Sequence, residues 1–85
     1  MNNDNFFTAI DENGKETTYK MLYCKNVDDK PIIWYTDGST DDSGKYNIYI
    51  SSYEEKNKMY LLDSIDDEVE LQKYVDIFKQ DNTSN

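Results

Sequence analysis

The sequence contains no histidine and no arginine, and it has a single cysteine, Cys24. Without histidine, the chain lacks the commonest general base and metal-binding side chain near neutral pH. A Cys–His nucleophile and a zinc site built from cysteine and histidine are therefore excluded. One cysteine also cannot form a disulfide within the chain. Because Cys24 lies in an apolar run, we expect it to be a small buried hydrophobic residue.

Positive charge is scarce, since 18 acidic residues stand against 9 lysines and give a net charge of −9. Proteins that bind nucleic acids directly neutralise phosphates, and arginine commonly makes the bidentate contacts. A chain with this charge and no arginine is predicted to bind neither nucleic acid nor an anionic membrane. The acidity favours solubility, or a basic partner.

Long apolar runs are absent as well, and we expect no signal peptide. The first residues, MNNDNFF, have neither the basic nor the apolar region of a signal peptide. No stretch approaches the roughly 18 apolar residues of a spanning helix, so we expect a cytoplasmic protein. Neither G-x-G-x-x-G nor a P-loop occurs. We therefore predict no cofactor, no catalytic residue and no enzymatic activity. A hydrolase that uses carboxylates alone stays the last alternative.

Aromatic residues are abundant: eight Tyr, three Phe and one Trp accompany a hydrophobic content of only 36%. Aromatic and β-branched side chains favour strands, and aromatic rings bury a large area each. Runs of such residues predict five strands, at Phe6–Asp11, Glu16–Lys25, Ile32–Thr36, Lys45–Tyr53 and Met59–Leu62. Asn13-Gly14 predicts a hairpin with a type I′ turn between the first two strands. Residues 26–31 and 54–58 are further predicted turns.

The C-terminal region changes to the period of a helix. Its apolar residues fall at helical spacing, at Leu71, Tyr74, Val75 and Phe78. Ser64 and Asp66 are the candidate N-caps. The predicted fold is therefore α+β, an antiparallel meander of about five strands with one C-terminal helix packed on one face. The predicted core is Trp34, Ile48, Ile50, Leu61, Val75 and Phe78. We expect a single domain at 6–80 between disordered ends at 1–5 and 81–85.

The ten residues YTDGSTDDSG, at positions 35–44, have the composition of a metal-binding loop. An EF-hand loop starting at Asp37 would need Gly at its sixth position and Glu at its twelfth. This chain has Asp42 and Ile48 there, so the motif fails. Asp, Ser and Gly are also the residues of ordinary turns, and we favour a turn. A weak divalent-ion site formed by Asp37, Asp41 and Asp42 stays an alternative.

One helix cannot cover both faces of the predicted sheet, so the second face keeps several aromatic side chains. The candidate protein interface consists of Tyr19, Tyr23, Tyr49, Tyr53 and Tyr60. Tyrosine is common at interfaces, and large apolar patches are uncommon on monomers. We therefore predict a non-catalytic protein-interaction module, or a homodimer formed through this face. The alternative is an acidic mimic of nucleic acid, in which Asp63–Glu70 binds a basic nucleic-acid-binding protein.

Several short segments together resemble the YrzB-like family of small acidic proteins from low-GC Gram-positive bacteria, known only as a domain of unknown function. The resemblance is carried by Asp11–Lys15, Trp34–Asp37, Asn47–Tyr53, Leu61 and Ile65–Glu68. The family often has an aromatic residue where this chain has Val69. The resemblance extends from about Phe7 to Phe78 and implies a cytoplasmic bacterial protein with strands followed by a helix. It implies no activity, cofactor or catalytic residue.

Overall fold

The computed structural model describes residues 5–11 and 13–81 of the chain. Its elements are β1 (Phe6–Ile10), β2 (Glu16–Val27), β3 (Lys30–Thr36), β4 (Tyr49–Lys56), β5 (Met59–Ser64) and α1 (Glu68–Asp81). Consecutive strands pair antiparallel, and the helix follows the last strand. The predicted α+β meander with one C-terminal helix is therefore confirmed. The largest difference in a strand boundary is at β4, which begins and ends later than predicted.

The sheet closes on itself into a barrel. β1 pairs with β5 as well as with β2, with Ala9 opposite Tyr60 and Ile10 opposite Leu61. The closing pair is parallel, because a meander with an odd number of strands begins and ends in the same direction. A closed sheet has an interior and an exterior in place of two open faces. The sheet face predicted to stay open is therefore the interior of the barrel.

All five strands contribute side chains to the interior core of the barrel. These residues are Phe7, Ala9, Tyr19, Met21, Ile33, Tyr35, Tyr53, Tyr60 and Leu62. The Tyr53 and Tyr60 rings stack with their centroids 4.8 Å apart, and Phe7 meets Tyr35 edge-on at 5.8 Å. The buried Tyr35 hydroxyl shares a 3.0 Å hydrogen bond with Ser51 Oγ. Aromatic rings thus fill the interior, and this hydrogen bond satisfies two of its buried polar groups.

A second cluster, the outer core, lies between the outside of the sheet and α1. Its buried members are Val27, Ile32, Trp34 and Tyr74, and Leu22, Tyr23, Ile50, Ile65, Ile77 and Phe78 pack around them. Trp34 is 0% exposed, and its Nε1–H donates a 3.1 Å hydrogen bond to the carbonyl oxygen of Tyr74. The Phe78 ring stacks on the Trp34 ring at 6.0 Å. β3 is therefore buried on both faces, by the interior core and by the helix.

A β-bulge in β2 divides its side chains between the two cores. The register with β3 shifts between Met21 and Tyr23, which leaves Leu22 as the extra residue. An extra residue reverses the alternation of side chains along a strand. Tyr19 and Met21 accordingly belong to the interior core, whereas Tyr23 belongs to the outer core. Strict alternation predicts Tyr19 and Tyr23 on one face, and the bulge separates them.

Two hairpins turn within two residues, and each of these residues has positive φ. The residues are Asp28 (+54°) and Asp29 (+66°) after β2, and Asn57 (+54°) and Lys58 (+66°) after β4. Positive φ at both central residues is typical of a type I′ turn, whose twist matches that of the paired strands. Strand pairing continues up to the residues that flank each turn. The predicted turns at 26–31 and 54–58 are therefore too long.

The N-cap of α1 is Asp67, and the predictions of Ser64 and Asp66 are wrong. Asp67 Oδ1 accepts hydrogen bonds from the backbone N–H groups of Val69 at 2.9 Å and Glu70 at 3.4 Å. An aspartate at this position satisfies N–H groups that have no partner inside the helix. Asp66 and Asp67 are adjacent aspartates of the same acidic run, so composition alone does not distinguish between them.

The folded domain extends beyond the predicted limits of 6–80 at both ends. The backbone oxygen of Asn5 accepts a 2.7 Å hydrogen bond from the N–H of Met21. Asp81, which belongs to the predicted disordered tail, is the last residue of α1. The other predicted disordered residues, 1–4 and 82–85, lie outside the described part of the chain.

Three ion pairs connect α1 to the hairpin of β2 and β3. They are Lys25–Asp81 at 2.8 Å, Lys30–Glu70 at 2.9 Å, and Lys73–Asp28. The Tyr74 hydroxyl also donates a 2.5 Å hydrogen bond to Glu70 Oε2. Burial, together with this bond to the Glu70 carboxylate, raises the pKa of Tyr74 to about 12. These contacts fix the orientation of the helix over Trp34.

Candidate interaction surface

The acidic loop between β3 and β4 is a turn stabilised by its own aspartates. Asp41 Oδ1 accepts hydrogen bonds from the backbone N–H groups of Ser43 at 2.9 Å and Lys45 at 3.0 Å. Asp37 Oδ1 accepts from the hydroxyl of Ser39 at 2.6 Å and from its N–H at 2.9 Å. The Ser39 hydroxyl most strongly lowers the pKa of Asp37, and the Lys45 N–H that of Asp41. The loop therefore uses these carboxylates in their ionised form.

The same turn closes the hairpin of β1 and β2. Asp11 Oδ1 accepts hydrogen bonds from the N–H groups of Asn13 and Lys15, both at 2.9 Å. In each loop a glycine with positive φ, Gly14 or Gly44, donates its N–H at 3.0 Å to the carbonyl oxygen of the aspartate. The contacts of Asp11 with Gly14 and Lys15 are thus repeated by Asp41 with Gly44 and Lys45. The predicted hairpin at β1 and β2 is present, but five residues connect its last pair instead of a two-residue type I′ turn.

The hydrogen bonds of the acidic loop occupy carboxylate oxygens that the alternative divalent-ion site would need. The Oδ1 atoms of Asp37 and Asp41 already accept backbone hydrogen bonds within the turn. Across the described residues, no group of three or more acidic or cysteine side chains is placed to hold a metal ion. The site at Asp37, Asp41 and Asp42 stays a prediction. Its test is a calcium-dependent melting temperature that disappears in an Asp41→Ala, Asp42→Ala variant.

The five candidate interface tyrosines do not form one surface. The interior core contains Tyr19, Tyr53 and Tyr60. Tyr23 packs in the outer core beneath α1. Tyr49 is 39% exposed, and its ring lies 5.6 Å from that of Tyr35. Barrel closure places three of the rings inside the barrel, and the β2 bulge places the ring of Tyr23 beneath α1. Of the five rings, only that of Tyr49 is exposed.

Three tyrosines of the interior core, Tyr35, Tyr53 and Tyr60, have hydroxyl groups whose pKa is raised. Tyr53 Oη and Cys24 Sγ share a 3.0 Å hydrogen bond, and this bond followed by burial raises the pKa of Tyr53. Burial is the main cause of the raised pKa values of Tyr35 and Tyr60. A pKa raised above the ordinary value of tyrosine lies further from neutral pH, where acid–base catalysis works best.

Apolar side chains are exposed where the chain leaves the acidic loop. Tyr46 is 56% exposed and Ile48 is 42% exposed, and Tyr49 follows directly. The prediction of Ile48 as a core residue is wrong, because β4 begins only at Tyr49. Between them, Asn47 donates its backbone N–H to the carbonyl oxygen of Ser39 at 2.9 Å, which holds this stretch against the loop. We call residues 46–49 the exposed segment.

A groove of about 380 Å³, the apolar groove, begins at the exposed segment. It is lined by Tyr35, Ile48, Tyr49, Ile50, Ser51, Ser64, Ile65, Leu71 and Val75. Leu71 and Val75 are half-buried and one helical turn apart, so they face the same side of α1. Tyr74 and Phe78 pack in the outer core instead. The predicted apolar stripe of the helix is therefore divided between the core and the groove.

Two acidic stretches of the chain contribute residues to the lining of the apolar groove. The segments 37–50 and 63–68 carry seven carboxylates and one lysine, Lys45. The Tyr49 hydroxyl, in the groove lining, donates a 3.5 Å hydrogen bond to Asp37 Oδ2. No lysine belongs to the groove lining in the part of the chain that the structure describes. The two segments that supply these lining residues are thus predominantly negative, whereas the lining itself, among the residues that the structure describes, has no charged residue.

The sequence contains the groove residues but misleads about their role. Apolar residues in alternating or helical patterns are normally core residues, which is why Ile48 and Val75 belong to the predicted core. One signal was present in the helix: apolar residues occur at 69, 71, 74, 75, 77 and 78. These positions extend around more of the helix than one contact with the sheet can cover. An excess of this kind indicates a second apolar surface.

Comparison of the chain with models of protein families, with curated proteins and with solved structures finds no match. The resemblance to the YrzB-like family therefore stays a prediction based on short motifs. Among the residues that the structure describes, no helix has the length and apolar character needed to span a membrane.

Proposed function

We propose that the protein is a non-catalytic protein-interaction module whose contact surface consists of the exposed segment and the apolar groove. The observation that supports this most directly is Ile48, which is 42% exposed and lines a groove with other apolar side chains. Phe6 and Val69 are also exposed, but they do not line this groove. Single exposed apolar residues are ordinary, whereas a grouped apolar surface commonly marks a binding site.

The groove provides apolar contact area, and its two buried hydroxyl groups already form a hydrogen bond with each other. Tyr35 Oη and Ser51 Oγ bond to each other at 3.0 Å, and burial raises the pKa of Tyr35. This pairing favours a binding role over a catalytic one. The proposal places the protein in the cytoplasm, where a single free thiol such as Cys24 stays reduced.

A second candidate function is the acidic mimic of nucleic acid. It is favoured by the run at 63–68, which contains four carboxylates, and by the net charge of −9. A mimic would bind through charge, so raising the salt concentration would abolish binding. A module that binds through apolar contacts would keep most of its affinity at the same salt concentration. Salt dependence therefore discriminates between the two functions.

Site-specific photo-crosslinking tests the proposed module. We would replace Ile48 with p-benzoylphenylalanine and irradiate the protein in an extract of the cells that produce it. Val69, which is 80% exposed and does not line the groove, provides a matched control position. We expect distinct protein adducts at position 48 that are absent at position 69 and absent when Tyr46 and Tyr49 are changed to Ser. Equal adducts at the two positions would show that the groove is not a specific contact surface.

A further inference from the structure

We propose that the apolar groove binds a lysine- or arginine-rich segment of another protein that carries at least one large apolar side chain. This inference deepens the proposed function and rests on it. It names the chemistry of the partner, which an apolar groove alone does not determine. The additional observation is the acidity of the two segments, 37–50 and 63–68, that contribute to the groove lining: together they carry seven carboxylates and one lysine.

The acidic residues are continuous in the chain with the groove lining. Asp66 directly follows Ile65 of the lining, and Glu68 is three residues before Leu71, so Glu68 and Leu71 are neighbours on the helix surface. Both acids are exposed to solvent. In the other acidic segment, Asp37 accepts the hydrogen bond from Tyr49 of the lining. In one segment carboxylates are thus next to lining residues in the chain, and in the other a hydrogen bond connects a carboxylate to the lining.

Lysine and arginine fit this arrangement because their side chains are amphipathic. Their aliphatic parts can lie on Leu71 and Val75 while the charged ends reach the carboxylates. A large apolar side chain of the same segment would occupy the groove beside Ile48. Complementary charge would also raise the rate of association and disfavour acidic competitors.

A second copy of this chain is a poorer occupant than a basic segment. A symmetric dimer uses the same patch on both subunits, so groove-to-groove contact would bring the acidic segments of the two copies together. Each copy carries a net charge of −9, and like charges at an interface oppose association. The groove therefore favours a partner of opposite charge.

Binding of synthetic peptides tests the inference. The probe is a short fluorescein-labelled peptide of lysine and leucine, and its anisotropy is measured against the full chain. A glutamate–leucine peptide of the same pattern tests the charge, and a lysine–serine peptide of the same charge tests the apolar anchor. We expect the lysine–leucine peptide to bind at least tenfold more tightly than either control.

Two pairs of variants locate the binding site. Ile48→Ser should weaken binding of the lysine–leucine peptide about tenfold, whereas Val69→Ser should leave it unchanged. Asp66→Asn with Glu68→Gln should weaken binding several-fold and reduce its salt dependence, while Asp67 still caps the helix. Glu16→Gln with Glu54→Gln removes the same charge at exposed strand positions and should have a smaller effect. Emission of the buried Trp34 verifies that each variant is folded.

The outcomes separate this inference from the proposed function. Tighter or equal binding of the glutamate–leucine peptide, with loss in Ile48→Ser, would overturn the basic partner and support an apolar module. Equal binding of the lysine–serine peptide would overturn the inference and support the acidic mimic. If Ile48→Ser and Val69→Ser have the same effect, the groove is not the peptide site and the inference fails. The crosslinking comparison at positions 48 and 69 then decides independently whether the proposed function fails too.

Discussion

Tyr49 and Tyr53 belong to the same strand, yet their side chains have different surroundings. Tyr53 stacks on Tyr60 in the interior core and shares a hydrogen bond with Cys24. Tyr49 lies at the end of the barrel and is partly open to solvent. A tyrosine in a packed core contributes to stability through its ring and its satisfied hydroxyl, whereas an exposed tyrosine contributes little.

We predict that Tyr53→Ser lowers the free energy of unfolding by about 2–3 kcal/mol, because it leaves a cavity beside Tyr60 and removes the partner of Cys24. Tyr49→Ser is the matched control in the same strand and should change this free energy by no more than about 0.5 kcal/mol. Urea unfolding followed by the emission of Trp34, the single tryptophan, measures both values. Equal losses in the two variants would contradict the described interior core.

At the scale of the element, the β4–β5 hairpin contains an unfavourable choice of residue. Lys58 has a φ of +66°, a conformation that glycine adopts without steric cost and lysine does not. We predict that Lys58→Gly raises the free energy of unfolding by about 0.5–1 kcal/mol. Lys56→Gly, at a regular strand position of the same hairpin, should lower it by a similar amount. Thermal unfolding of both variants checks the pair, and a loss in Lys58→Gly would contradict the type I′ turn.

Carboxylates with lowered pKa values attach the helix to the β2–β3 hairpin. The pKa of Asp81 is lowered first by the hydrogen bond from Lys25 and then by the one from Tyr23. Lys73 lowers the pKa of Asp28 by its hydrogen bond. A carboxyl with a lowered folded-state pKa contributes stability that is present above its ordinary pKa and is lost as pH falls through the folded value. Attachment of α1 should therefore weaken in acid, below the ordinary pKa of 3.8.

We predict that Asp81→Asn lowers the melting temperature at pH 7, and that its difference from the wild type shrinks as pH falls below 3.8. Asn cannot ionise, so the variant lacks the contribution that the wild type loses in acid. Asp76→Asn removes the same charge from the solvent side of α1 and serves as the control. Calorimetry from pH 7 downward measures both differences. A difference for Asp81→Asn that does not depend on pH would show that the ion pair contributes no stability.

At the scale of the whole molecule, barrel closure and net charge both disfavour association between copies of the chain. The interior core takes up the aromatic side chains that an open sheet would expose. The exterior carries the net charge of −9, which repels other copies of the chain.

We therefore predict a monomer of 10.1 kDa in sedimentation experiments at low and at moderate salt. Ile48→Ser and Val69→Ser should sediment in the same way as the wild type. If the wild type is a dimer that Ile48→Ser converts into a folded monomer, a second copy occupies the groove. That result would contradict both this prediction and the inferred basic partner.

The sequence by itself determined the kind and order of the elements. Period-two runs of aromatic and β-branched residues predict strands, and the stripe that includes Tyr74 and Phe78 predicts a helix, because these patterns depend on local backbone geometry. It also determined the charge of the surface and the absence of histidine chemistry. The repeated pentapeptides DENGK and DDSGK, read together, would have predicted both aspartate-stabilised turns.

Only the tertiary structure decided which aromatic residues lie inside and where the apolar groove opens. Closure depends on the pairing of β1 with β5, which are distant in sequence, and no local pattern encodes such a pair. One extra residue at the β2 bulge moves Tyr23 from the face of Tyr19 to the face of Trp34. Ile48 is exposed because β4 starts only at Tyr49. The hydrogen bond of Trp34 to Tyr74 orients the helix, and Leu71 and Val75 line the groove. Each of these outcomes depends on long-range packing, which local residue preferences do not determine.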